Sequence, residues 1–130
     1  AQRERVDVRC VLERVLGEAG VDLSAKQYYF VTMAADGQFD PTGDGALADG
    51  VLMSVDTSSV GAACAVAIGG VVPVVAGDAI TRGDLVSSDA AGKANTAATN
   101  DEILGRAMKG AAAGDIFPVL LKLSGRAPKP

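Results

Sequence analysis

The chain has no histidine and no tryptophan, and its only aromatic residues are three Phe and two Tyr in 130 positions. Without histidine, the commonest general base and the commonest metal ligand are both missing, and no Ser/His/Asp set can be assembled. Basic residues are also scarce: 12 Lys and Arg stand against 16 Asp and Glu, for a net charge of −4. They form no stripe, which argues against a nucleic-acid partner held by phosphate neutralisation. Cysteine is limited to Cys10 and Cys64, far apart and in unlike contexts. Cys64 sits among apolar neighbours, as a small core residue does, so a disulfide is not expected. No run is long and apolar enough to span a membrane, and residues 1–20 lack the apolar core of a signal peptide. Synthesis in a reducing cytoplasm is the simple expectation.

Glycine is abundant: the 16 glycines predict many turns and short strands. The apolar fraction is 48%, but Ala and Val dominate it, so a single domain with one modest core is expected. The stretch Val72–Val86 (VPVVAGDAITRGDLV) shows the pattern best. Val72, Val74 and Val75 suit a pleated surface, Gly77-Asp78 and Gly83-Asp84 are turn residues, and Leu85-Val86 opens the next strand.

That stretch also joins two halves that look alike. Val31 to Gln38 matches Val86 to Lys93 at an offset of 55 (31 to 86, 37 to 92). Gly50-Val51-Leu52-Met53 matches Gly105-Arg106-Ala107-Met108 at the same offset. Gly61 to Ile68 matches Gly114 to Leu121 at 53, which places a two-residue deletion in a turn of the second copy. Three blocks in the same order predict a duplicated unit of several short strands, with halves at about 21–70 and 71–124. Such a unit fits a barrel or clip of two pseudo-symmetric halves.

Residues 1–20 differ. Val8, Val11, Leu12, Val15 and Leu16 recur at helical spacing, yet Val6 to Val11 also alternates as a strand does. The segment reads as an N-terminal arm, helix or strand, packed either on its own domain or on a partner. Gln27 to Met33 reads as the first strand of the barrel, and it holds Tyr28, Tyr29 and Phe30. Neighbours in a strand face opposite ways, so one of these rings should point away from the core, which hints at an interface. Gly125 to Pro130 reads as a flexible tail.

Motifs for chemistry are weak. Asp40 to Gly45 resembles a calcium loop but lacks the closing Glu. Ala107-Met108-Lys109 resembles a biotin-attachment site, but too few residues follow Lys109 for the second half of a biotinyl domain. Asp36, Asp78, Asp84 and Asp89 sit in turns, where local backbone bonding explains Asp. No catalytic residue, metal ligand or cofactor site is expected, and the chain is read as no enzyme.

An ordered series of short motifs carries a family resemblance. It runs through Leu23 to Val31, Ala48 to Leu52, Val74 to Ile80, Gly83 to Val86, Asp89 to Lys93, Ile103 to Ala107 and Ala113 to Asp115. In that order the chain resembles the tailed-phage capsid decoration (cement) proteins over about residues 21–124. The resemblance implies a small, mainly all-β domain of barrel or β-clip type. It implies a homotrimer on the outer surface of the phage head that binds the major capsid protein and stabilises the expanded capsid. Arg3, Arg5, Val6 and Val8 of the arm are the candidates for capsid contact. Tyr28, Tyr29 and Phe117 are the candidates for contact between subunits. The competing expectation is a β-clip ligand-binding or accessory domain of a metabolic enzyme, which Ala76 to Ile80 with Gly83-Asp84 also resembles.

Overall fold

A computed structural model describes residues 13–21, 23, 25–55, 63–98 and 101–121. Every regular element among them is a strand. β1 (Glu13–Ala19), β2 (Phe30–Met33), β3 (Gln38–Pro41), β4 (Gly50–Val55) and β5 (Ala63–Gly69) close into a barrel in the order β1-β3-β2-β4-β5. β6 (Val71–Val75), β7 (Leu85–Ser88), β8 (Ala94–Thr96), β9 (Gly105–Ala107) and β10 (Ile116–Leu121) form a second sheet in the order β6-β10-β9-β7-β8. Gly70, at φ 87, makes the reversal from one to the other.

The duplication is visible in the pairing registers. In the barrel Val31 faces Pro41 and Thr32 faces Asp40; in the second sheet Val86 faces Thr96 and Ser87 faces Asn95. Phe30 faces Val51, and 55 residues on Leu85 faces Arg106. Gly17 faces Cys64, and Val74 faces Phe117. The barrel closes through a parallel β1–β3 pair at Ala19 and Phe39. In the second half only an isolated parallel bridge, Ala76 to Ala94, stands at that place. The second sheet is therefore an incompletely closed copy of the barrel.

Gly50 and Gly105 show why the two registers agree. A Cβ on Gly105 would lie 2.5 Å from the Leu120 carbonyl oxygen and 2.7 Å from Val119 Cγ1. A Cβ on Gly50 would meet Val66 and the Ala67 carbonyl in the same way. Only glycine lets β4 and β9 approach their neighbours this closely.

Two apolar clusters hold the fold. Val31, Phe39, Leu52, Cys64 and Val66 pack within the barrel. Phe30, Val51, Ala67, Val74, Phe117 and Val119 are among those packed between the barrel and the second sheet. Phe30-Val31, Val51-Leu52 and Val66-Ala67 each send one side chain to either cluster. Alternate residues face opposite sides of a strand, so this wall of the barrel is covered twice. Each fully buried Val, Leu or Phe contributes roughly 1.5–3 kcal/mol of transfer free energy. Backbone bonds also lock the halves: Phe30 N–H donates to the Gly92 carbonyl at 2.7 Å, and Gly45 N–H to that of Ser88 at 2.8 Å.

One open alternative narrows and one expectation changes. Glu13–Ala19 is the first barrel strand, paired with β5 and β3, so this part of the expected arm is built into the domain as a strand. The strand expected over Gln27 to Met33 begins only at Phe30. Lys26 to Tyr29 is a turn, with Tyr29 N–H donating to the Lys26 carbonyl at 3.0 Å and Tyr28 at φ 68. The cause is register: Tyr28 N–H donates to the Leu52 carbonyl, and Leu52 N–H donates back to that of Tyr29.

Candidate assembly interface

The Tyr28–Tyr29 corner stands where the halves meet. The Tyr28 carbonyl accepts from Val75 N–H at 3.1 Å, which ties the turn to β6. Both rings are half-buried. Lys26 Nζ lies 5.1 Å and Lys93 Nζ 5.8 Å from the centre of the Tyr29 ring, so two cations attend one aromatic ring. Such a corner suits a protein contact, because the ring supplies area and the lysines supply steering charge.

Phe117 is placed otherwise. It is 2% exposed and belongs to the core between the sheets, so it offers no surface to another subunit. The alternation of β10 is the reason: Phe117, Val119 and Leu121 point inward while Ile116 points out. Arg3, Arg5, Val6 and Val8 lie outside the described residues.

The second sheet presents a surface that the candidate residues missed. Its inner face is core; its outer face carries the cross-strand row Val71–Leu120–Arg106–Leu85. Val71 and Leu85 are each 48% exposed and Ile116 56%. Met108 is exposed beside them, its N–H donating to the Pro118 carbonyl at 3.0 Å. A hollow of about 200 Å³ opens there, lined by Arg82, Gly83, Arg106, Ala107 and Met108. The signal was in the sequence. Val71 to Val75 and Ile116 to Leu121 are apolar at both parities. A sheet apolar on both faces has one face left to cover.

The turn carboxylates are occupied locally. Asp36 accepts from Gln38 N–H, Asp78 from Ala79 N–H, and Asp84 from Thr81 N–H. Asp89 accepts from Ala91 and Lys93 N–H, both at 2.9 Å. Among the described residues no three Cys, Asp or Glu side chains gather as a metal site. Cys64 is a free, buried thiol whose pKa is raised, chiefly by burial and further by Glu18, against a lowering hydrogen bond at Gly17.

The chain is thus a closed β barrel with an open copy of it, its turn acids bonded to backbone and an apolar sheet face turned outward. The chain belongs to the phage cement protein family, whose pattern it matches over residues 24–123. That membership gives it a structural role in the phage virion, at the capsid. Among solved structures it is similar to the head fiber gp8.5 N base of bacteriophage phi29. The TM-score is 0.68 at 17% identity, over 91% of this chain and 100% of that one, which shows a shared fold. No curated protein matches the chain.

Proposed function

We propose that this protein decorates the outer surface of a phage head, binding the major capsid protein as a homotrimer and stabilising the expanded shell. Membership in the cement family carries the reading. The surfaces support it: the Tyr28–Tyr29 corner and the outer face of β6–β10 both offer apolar area with cations beside it. Arg3, Arg5, Val6 and Val8 are proposed for capsid contact, and Tyr28 and Tyr29 for contact between subunits. No bond is made or broken and no cofactor is used, so the protein acts as a clamp and not as an enzyme. A ligand that binds only the expanded shell stabilises that state by mass action. Many copies with modest interfaces add up over one particle. The rigid cross-links between the halves suit a clamp, since little ordering free energy is lost on binding.

Co-sedimentation tests the reading. Purified protein is mixed with expanded heads and with unexpanded procapsids of the phage that encodes it. Saturable binding to heads with none to procapsids is expected. Absence of binding to either overturns it.

A further inference from the structure

We infer that the outer face of the second sheet is the seat of a second copy of this chain, which docks head to tail through the acidic end of its barrel. The face is apolar, with two cations in it: Arg82 and Arg106 both line the hollow beside exposed Met108. Among the described residues no carboxylate lies within 4.0 Å of either guanidinium. Among the described residues both charges are therefore open to a partner.

The barrel carries the complementary surface. Met33 and Leu47 are exposed at 46% and 41%, and both stand at the end of β2 that carries Asp49. Asp49 Oδ2 accepts from Met33 N–H at 2.8 Å, while Thr32 Oγ1 donates to the Leu47 carbonyl at 3.0 Å. Glu18 and Asp36 meet the same end through Gln38, whose amide nitrogen donates to Glu18 Oε1 and whose backbone N–H donates to Asp36. All three carboxylates are exposed.

One chain thus holds an apolar surface with arginines on one sheet and an apolar surface with carboxylates on the other. The two are complementary but not identical, so the contact joining them is heterologous, and a heterologous contact makes a ring where its rotation closes and a filament where it does not. Arg and Met are favoured at such contacts, and charge complementarity sets their register. A ring of three rests on the decoration reading above; the pairing of the two faces does not. Gly83 also has a place in this arrangement. The first half has Tyr28 at the position of Gly83, and the hollow that Gly83 lines is where an incoming side chain can seat.

Sedimentation-velocity mass tests the inference on the full chain. The wild type is compared with an Arg82→Glu/Arg106→Glu variant, an Asp49→Lys variant and all three changes combined. Thermal melts confirm that each is folded, and Ile116→Asp gives a second route to the same face, through its apolar part. The arginine variant and Ile116→Asp are expected to raise the self-dissociation constant at least tenfold. The triple variant is expected to recover much of the loss. Variants that assemble like the wild type overturn the inference, and loss without recovery overturns the pairing with Asp49. Wild-type protein that stays monomeric yet binds heads overturns the inference and leaves decoration standing. An oligomer that responds to the variants but binds no head does the reverse.

Discussion

Tyr28 and Gly83 occupy the same place in the two halves, at φ 68 and φ 91, and their N–H groups donate to Leu52 and Ala107, which are also equivalent. Glycine takes this backbone freely; a side chain costs about 1–2 kcal/mol there. Nothing lies within 4 Å of a Cβ built on Gly83. Gly83→Ala should therefore lower stability by about 1 kcal/mol through backbone strain alone, read by urea denaturation. Gly105→Ala should cost more than about 3 kcal/mol or prevent folding, because its Cβ meets the rigid Leu120 backbone. Equal effects at both positions would contradict this account. Cys64 gives a pH signature. Its thiol pKa is raised in the fold, so the unfolded chain loses that proton first as pH rises. The contribution is full below the ordinary thiol pKa of about 8.5 and is lost as pH rises through the higher folded value. Melting temperatures from pH 8 to 10 should fall less steeply in Cys64→Ala than in the wild type.

Strands, more than single residues, decided which expectations held. The turn at Gly83-Asp84 was legible from its residue types, and Gly83 does take positive φ there. The start of β2 was not legible. Tyr28 and Tyr29 have strand propensity, but bonds to Leu52 from the distant β4 fix them as a turn. The place of Phe117 was open to sequence reasoning: it shares parity with Val119 and Leu121, and Pro118 has that of Ile116. Which parity faced inward depended on where the barrel lay against the sheet, and that is a long-range fact. Phe117→Ala should cost about 3–5 kcal/mol in chemical denaturation. Ile116→Thr, on the exposed parity, should stay within about 0.5 kcal/mol for the monomer. A comparable loss at both would mean that the outer face is also core.

The whole molecule is one unit used twice. The offset of 55 read from three sequence blocks recurs in the registers of β2–β3 and β7–β8, and the shorter offset of 53 recurs in β5 and β10. Closure was not legible, since it turns on whether the parallel contact of β1 with β3 extends beyond a single bridge. The difference matters for function. The closed half has its seam paired, while the open half keeps an apolar outer face beside two arginines, which on the proposed reading makes the first the scaffold and the second the contact. Stabilisation of the expanded head is the central claim. The most direct measurement is the temperature at which heads release their DNA, taken on heads lacking this protein before and after saturation with it. A release temperature raised in proportion to occupancy, and returned to baseline when the protein is removed, is the predicted result. Saturated heads that release DNA at the temperature of bare heads would contradict the account.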